Sequence, residues 1–281
     1  MKLISLVEAV SAIHLSFYVT TNFPERGGLM FRGHPGSLKT AITETVQTYP
    51  NAKMYSDMTV KQGSRIRSSL VCHTITTIAF ADLQKLYERN MSSAANMEGY
   101  LRGLAGEGWR QMNWEDPRMN CPPAFACIIG CLTEDFYQQK FSSWHDNGFL
   151  RRFLWCSYRL HDPNAIIEAI IENRRIDFTV DGFSCRQPIT VGAIPFDVSR
   201  EESEKLYHML RDQPFKEIPL STLKKMLAAL KWKYGSKKAW QLIDDFSSCL
   251  LKDGAELILP KRMLPQASEN GTRRKATKAK K

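Results

Sequence analysis

The stretch that decides the fold of this chain runs Gly33-His34-Pro35-Gly36-Ser37-Leu38-Lys39-Thr40. It follows the short apolar run Gly28-Leu-Met-Phe-Arg32 and leads into residues 39–48, whose composition permits a helix. Glycine and proline separate the two segments because both residues favour turns. The order of residues therefore predicts a strand, a loop and a helix in direct succession.

The same stretch has the residue types that a phosphate-binding loop needs. Glycines let consecutive backbone N–H groups surround a phosphate, a helix N-terminus favours its charge, a lysine neutralises terminal phosphates, and a serine or threonine binds magnesium. The stretch resembles the P-loop pattern G-x-x-x-x-G-K-[ST] everywhere except at Leu38, which replaces the second glycine. A leucine there can crowd the phosphates or require a different loop conformation, which would slow or prevent hydrolysis even where nucleotide binds.

The resemblance implies a set of ATP-binding residues, with Lys39 also acting in catalysis. His34 occupies a variable position of the pattern, and a solvent-facing loop residue is the simpler interpretation for it. A glycine-proline turn with an incidental Lys-Thr pair is the alternative for the whole stretch. The implied nucleotide-binding residues are Gly33, His34, Pro35, Gly36, Ser37, Leu38, Lys39, Thr40 and, further along the chain, Thr133.

An acidic residue, Asp82, follows the β-branched and apolar residues 74–81, which predict a third buried strand. The segment Thr77-Ile-Ala-Phe-Ala-Asp82 resembles a Walker B strand, whose terminal carboxylate binds magnesium through water or through the P-loop hydroxyl. This resemblance implies Thr40 and Asp82 as magnesium ligands, with Asp82 counted among the catalytic residues. Position 83 is leucine and lacks the second acid of many such ATPases, so Gln84 or Glu88 could orient water or simply begin a helix.

Two further positions resemble parts of AAA+ ATPases. Thr133 ends the fourth apolar run, 124–132, where a polar sensor contacts the terminal phosphate, although a helix N-cap explains it equally well. The segment Asn147-Gly-Phe-Leu-Arg-Arg-Phe153 resembles the Leu-x-Arg-Phe segment of minichromosome-maintenance-like AAA+ helicases. That resemblance implies Arg152 as an arginine finger, with Arg151 as the fallback. The alternative is a helix whose arginines pair with surface acids.

The alternation of strands and helices predicts an α/β fold, with three layers and a mainly parallel central sheet. Residues 28–160 resemble the core of an AAA+ or RecA-like P-loop ATPase of the compact kind found in phages and mobile elements. Beyond that core, helical patterns at 199–211 and 220–232 predict a smaller C-terminal region, helical or winged-helix-like. We therefore expect a P-loop ATPase core over 1–160, the C-terminal region over 161–265, and a disordered basic tail over 266–281.

Charge is concentrated near the C-terminal end of the sequence. Residues 261–281 contain eight lysines and arginines and one glutamate, and so carry seven of the ten net positive charges. Such a segment suits diffuse contact with the phosphates of DNA, or alternatively serves as a solubilising or partner-docking tail. The sequence has no apolar run of about 18 residues, so no membrane association is expected. Seven scattered cysteines favour reduced thiols and no structural metal, and a cytoplasmic location is the default.

The resemblances imply an ATP-binding, ATP-hydrolysing protein that assembles into a ring or filament and acts on DNA in replication, remodelling or packaging. Lys39 and Arg152 would stabilise the charge that develops during attack of water on the γ-phosphate, while Thr40 and Asp82 position Mg²⁺. Two alternatives stay open. One is a nucleotide-gated adaptor or DNA-binding protein with a degenerate P-loop and little hydrolysis. The other is a nucleic-acid-binding protein without ATPase activity that binds through its basic tail.

Overall fold

The computed structural model describes residues 1–23, 25–88, 91–110, 122–162, 164 and 192–258. The expected basic tail, 266–281, lies outside these residues, as does most of the segment 161–191 that was assigned to the C-terminal region. None of the helices in the described ranges has the length and apolar character that crossing a membrane requires.

The first part of the chain contains the strand, loop and helix that the opening stretch predicts. Its elements are, in order, α1 (Leu3–Ser16), β1 (Val19–Thr20), β2 (Gly28–Arg32), α2 (Lys39–Glu44), β3 (Ala52–Tyr55), α3 (Val60–Arg65), α4 (Arg67–Val71), β4 (Thr77–Phe80) and α5 (Met91–Ala105). A 3-10 turn over Thr45–Thr48 extends α2, and another over Leu83–Tyr87 follows β4.

The second part supplies the remaining central strands and four further helices. Its elements are β5 (Cys127–Leu132), α6 (Glu134–Asp146), β6 (Leu154–Leu160), β7 (Ile194–Pro195), α7 (Arg200–Met209), α8 (Glu217–Tyr234), α9 (Ser236–Ser247) and β8 (Ala255–Leu257). Short 3-10 turns precede β6 and follow α9, over Leu150–Arg152 and Ser248–Leu250.

The central sheet has six strands in the described part of the chain, all parallel, in the order β3-β4-β5-β2-β6-β8. Strand β2 lies between β5 and β6, with Leu29 opposite both Ile129 and Leu154. Every residue of β4 and β5 is buried, as expected for parallel strands that helices cover on both faces. The prediction of an α/β fold with a parallel central sheet is confirmed.

Alternate residues of β2 enter two different hydrophobic cores. Leu29 and Phe31 join the core that contains α1, α2, α8 and α9, whereas Met30 joins the core formed with α5 and α6. The period of two residues follows from the pleat of a strand, which points successive side chains to opposite faces. Helices therefore cover both faces of the sheet.

Residues on both sides of position 160 share the sheet and the first of these cores. Strand β8 pairs in parallel with β6, and Tyr158 lies opposite Ala255. Helix α8 packs along α1, and apolar residues of both helices belong to one buried cluster. The described residues 217–257 thus extend the same sheet and core that the earlier elements build.

The helices that follow β2 and β5 leave the sheet on opposite faces. Ile42 of α2 belongs to one core, and Tyr137 and Trp144 of α6 belong to the other. Where two neighbouring parallel strands send their chains to opposite faces, a crevice opens at their carboxyl ends. The fold therefore places a crevice beside the 33–40 loop, which joins β2 to α2.

Candidate functional site

The 33–40 loop has a tightly constrained backbone. A side chain at Gly33 would bring its Cβ to 2.8 Å from the carbonyl oxygen of Tyr158, so the loop passes close to β6. Gly36 and Leu38 both have positive φ angles, of 77° and 64°. This left-handed conformation costs a leucine roughly 1 to 2 kcal/mol relative to ordinary backbone geometry. Leu38 therefore adopts a conformation that would suit the glycine of the P-loop pattern.

The Leu38 side chain has packing contacts within the fold. It is half-buried and packs against the core that contains α1 and α2. Leu38 is the N-cap of α2, and its carbonyl oxygen accepts the first helical hydrogen bond, from the Ile42 N–H. The N–H groups of the three residues after Leu38 precede that bond and have no partner within the helix. They are available to an anion.

Lys39 turns back into the loop. Its Nζ donates hydrogen bonds to the carbonyl oxygens of Gly33 at 2.9 Å and His34 at 2.6 Å, and to Ser37 Oγ at 3.0 Å. Only 8% of the residue is exposed. Burial lowers the pKa of the Lys39 ammonium, and the nearby Asp82 carboxylate partly offsets this effect. The Lys39 side chain is thus a buried cation held by neutral oxygens. A negatively charged acceptor could replace these oxygens as its hydrogen-bond partner.

A cavity of about 490 Å³ opens beside Lys39 at the carboxyl ends of β4 and β5. It brings together eight of the site residues expected from sequence with several that the motifs did not include. The expected ones are Pro35, Gly36, Ser37, Leu38, Lys39, Thr40, Asp82 and Thr133. The additional ones are Ala41, Glu44, Ala81, Gln84, Cys131 and Leu132.

Hydrogen bonds connect the loop to the neighbouring strand ends. Thr40 Oγ1 donates to the carbonyl oxygen of Ala81 at 3.1 Å, which places the hydroxyl next to the residue that precedes Asp82. Asp82 Oδ1 accepts the Gln84 N–H at 3.0 Å and so caps the turn after β4. Gln84 Oε1 in turn accepts the Thr133 N–H at 3.1 Å. The ends of β4 and β5 are therefore fixed to each other.

Two residues at the end of β5 have defined structural roles. Thr133 is the N-cap of α6, since its Oγ1 accepts the Phe136 N–H at 3.3 Å. Cys131 lies beneath the loop, where Thr43 is 2.9 Å from its sulfur. Burial raises the pKa of the Cys131 thiol to about 12, so it stays protonated and neutral near Lys39 at physiological pH. The Cys131 thiol therefore adds no negative charge to that of the Asp82 and Glu44 carboxylates in the cavity lining.

The remaining expected residues lie outside the cavity lining. Gly33 and His34 contribute only carbonyl oxygens to Lys39, and the His34 side chain is exposed. Arg152 precedes β6 and so lies at the amino edge of the sheet, opposite the cavity. It is 9% exposed, and its Nη2 lies 2.7 Å from Glu107 Oε1 of the same chain. Arg151 is exposed to solvent.

The cavity collects a buried ammonium, hydroxyl groups, the two carboxylates of Asp82 and Glu44, and unpartnered helix N–H groups. These groups suit an anion that is accompanied by a divalent cation, because the ammonium and amides bind the anion and the oxygens bind the cation. Neither a protein-family model nor a curated protein matches this chain.

Proposed function

We propose that the 33–40 loop binds the phosphates of ATP together with Mg²⁺. One observation carries the proposal: the crevice at the carboxyl ends of β2, β4 and β5 brings Lys39, Thr40 and Asp82 to a single cavity. Lys39 and Asp82 are 43 positions apart in sequence, yet all three residues carry a group that a phosphate and metal site needs. Crevices of this kind are the usual ligand sites of open parallel sheets.

Phosphate binding would proceed by exchange of hydrogen bonds at Lys39. The ammonium now donates to neutral carbonyl and hydroxyl oxygens, whereas phosphate oxygens carry charge and form stronger bonds. The N–H groups of Lys39, Thr40 and Ala41 at the start of α2 add donors that point toward the same ligand. Leu38 preserves this arrangement because it holds the left-handed conformation on which the turn depends.

The oxygens of Thr40 and Asp82 fit a magnesium site. Both are hard ligands, and the bond from Thr40 to the carbonyl oxygen of Ala81 holds the hydroxyl at the same strand end as the carboxylate. Bound Mg²⁺ would neutralise phosphate charge and retain several waters, since it rarely takes more than one or two protein ligands at such sites.

We propose ATP hydrolysis coupled to work on DNA as the wider function, within a self-associating ring or filament. The concentration of positive charge in residues 261–281 supports DNA as the partner. If about four basic residues of the tail bind duplex DNA, removing residues 266–281 should make the slope of log affinity against log salt less negative, by roughly 3 to 4 units. An unchanged slope would assign the tail another role.

A nucleotide-gated binding protein with little hydrolysis is the second candidate. Leu83, at the position of the missing second acid, is fully buried in the core. Its side chain has no group that could activate water. Arg152, the expected arginine finger, is paired with Glu107 in its own chain. Both observations favour binding without rapid turnover by the isolated chain.

Calorimetric titration of the full chain with MgATP tests the proposal. We expect Lys39→Ala to lose binding, because the substitution removes the buried ammonium that neutralises phosphate. Lys85→Ala is the matched control, since Lys85 is exposed on the turn after β4 and does not line the cavity. Equal affinity of folded Lys39→Ala and wild-type protein would contradict the site. Phosphate release in the same samples then separates the hydrolysing candidate from the non-hydrolysing one.

A further inference from the structure

Gln84 lines the cavity from a position for which the sequence left two roles open, orienting water or beginning a helix. It is the second residue after Asp82, it is half-buried in the 3-10 turn Leu83–Tyr87, and it lines the cavity beside Lys39 and Thr40. Its backbone is fixed by the bond from its N–H to Asp82 Oδ1. Its side chain is fixed separately, by Thr133.

The bond with Thr133 determines which way the Gln84 amide faces. The Thr133 backbone N–H can only donate, so the atom 3.1 Å from it must be the amide oxygen Oε1. The amide nitrogen Nε2 then has two hydrogens to donate and no ability to accept. Among the described residues, no bond from Nε2 to a protein acceptor is found. The Gln84 amide is therefore fixed in orientation by Thr133, and its Nε2 is a donor with no protein acceptor among the described residues.

This orientation favours a donor role for Gln84. Its Oε1 accepts the Thr133 N–H and keeps one further lone pair, whereas its Nε2 can only donate. A phosphate oxygen is an acceptor that Nε2 suits. Thr133, the sensor expected from sequence, accepts the Phe136 N–H to cap α6 and keeps its hydroxyl hydrogen as a second donor at this strand end.

We infer that Gln84 is the residue that recognises the terminal phosphate, through a hydrogen bond from Nε2, and so makes the site prefer ATP over ADP. The inference rests on the proposed function. In the P-loop pattern the loop amides bind the phosphates common to both nucleotides and the lysine reaches both the shared and the terminal phosphate, whereas Gln84 projects from the strand end that carries Asp82. Because Gln84 also holds the N–H of Thr133, the contact would connect the terminal phosphate to the start of α6.

The test compares the dissociation constants of MgATP and MgADP for the full chain and its Gln84 variants. We expect Gln84→Ala to weaken MgATP binding by about tenfold and MgADP binding by less than twofold, since hydrogen bonds to charged groups are worth roughly this much. Gln84→Glu should weaken MgATP further, because it can still accept the Thr133 N–H but places a negative charge toward the phosphate. Lys85→Ala is the matched control, as Lys85 is exposed on the same turn and does not line the cavity.

The possible outcomes separate the inference from the proposed function. If wild-type protein binds neither nucleotide, the proposed function fails and the inference fails with it. If wild-type protein binds both and Gln84→Ala weakens both equally or neither, the site stands and the role of Gln84 is wrong. The Gln84→Glu variant guards against a folding artefact, because it keeps the hydrogen bond that joins β4 to β5, and thermal unfolding of each variant verifies this.

Discussion

Two buried lysines stand at opposite ends of strand β2, and their difference separates a stabilising residue from a binding one. Lys225 of α8 donates from its Nζ to the carbonyl oxygens of Phe23, at 2.9 Å, and Glu25, in the segment that enters the strand. Lys39 donates to the carbonyl oxygens of Gly33 and His34, in the loop that leaves it. Both side chains are cations held by backbone oxygens.

The surroundings of the two ammonium groups differ. Lys225 is 1% exposed and lies at the amino edge of the sheet, where burial and the positive charge of Arg26 lower its pKa to about 8. Lys39 lies at the carboxyl edge and lines a cavity that also contains Thr40 and Asp82. A buried lysine is therefore not by itself evidence of a ligand site. What distinguishes Lys39 is the open space beside it, into which its hydrogen bonds can be redirected.

The same substitution at the two lysines should differ in its effect on affinity. We expect Lys39→Met to weaken MgATP binding by about a thousandfold, or roughly 4 kcal/mol, and to lower stability as well, because the carbonyl oxygens of Gly33 and His34 lose their donor. Lys225→Met should leave affinity unchanged and lower the free energy of unfolding by about 2 kcal/mol, because two part-buried carbonyl groups lose their donor. Titration calorimetry and urea unfolding of both variants measure this. A loss of affinity in Lys225→Met that exceeds its loss of stability would break the contrast.

A third buried base, His14 of α1, extends the comparison to pH. It stacks on Tyr49, its Nδ1 lies 3.0 Å from Thr77 Oγ1, and burial lowers its pKa to about 3. Because the folded pKa lies below the unfolded value of about 6.5, the neutral histidine favours the fold above pH 6.5, and this contribution is lost as pH falls toward 3. Between pH 7 and pH 4 the loss should reach about 3 kcal/mol.

Urea unfolding of wild-type protein and His14→Gln over that pH range measures the contribution. The variant keeps a hydrogen-bonding side chain of similar size but has no titrating group. Its stability should therefore fall less steeply with acidification than that of the wild type. Parallel curves of stability against pH for the two proteins would show that protonation of His14 does not lower stability. That result would contradict the effect expected from its burial.

The smallest expected effect concerns the strained leucine of the loop. Leu38→Gly and Leu38→Ala both remove the packing of the side chain, but only glycine avoids the penalty of the left-handed backbone. Leu38→Gly should be the more stable of the two by about 1 kcal/mol. It should also bind MgATP and release phosphate at least as well as wild type. Loss of nucleotide binding on this substitution would show that the leucine belongs to an adapted loop.

Local features of this fold could be predicted from sequence because they depend on neighbouring residues. The apolar runs before Gly33 and Asp82 are the buried strands β2 and β4, since parallel strands covered on both faces are apolar throughout. The turn residues between 33 and 38 likewise mark the loop. The resemblance of these stretches to P-loop and Walker B motifs implied Lys39, Thr40 and Asp82 as one candidate site.

Features that depend on long-range packing could not be predicted. Lys225 and Lys224 are adjacent on α8, and only the contact with the segment before β2 makes one of them buried. The acceptor bond of Gln84 requires knowledge that β4 and β5 are neighbours. The pairing of Arg152 with Glu107 depends in the same way on a contact between distant segments. Sequence spacing carries no information on any of these contacts.

Amide hydrogen exchange of the full chain, with and without MgATP, tests the central claim most directly. If phosphates bind the 33–40 loop, saturating MgATP should slow exchange of the amides at positions 36–41, which otherwise lack helical partners. The segment 25–28, held by Lys225 at the other end of β2, should be unaffected and serves as the internal reference. Unchanged exchange at 36–41 under saturating nucleotide, or equal protection of 25–28, would contradict the account.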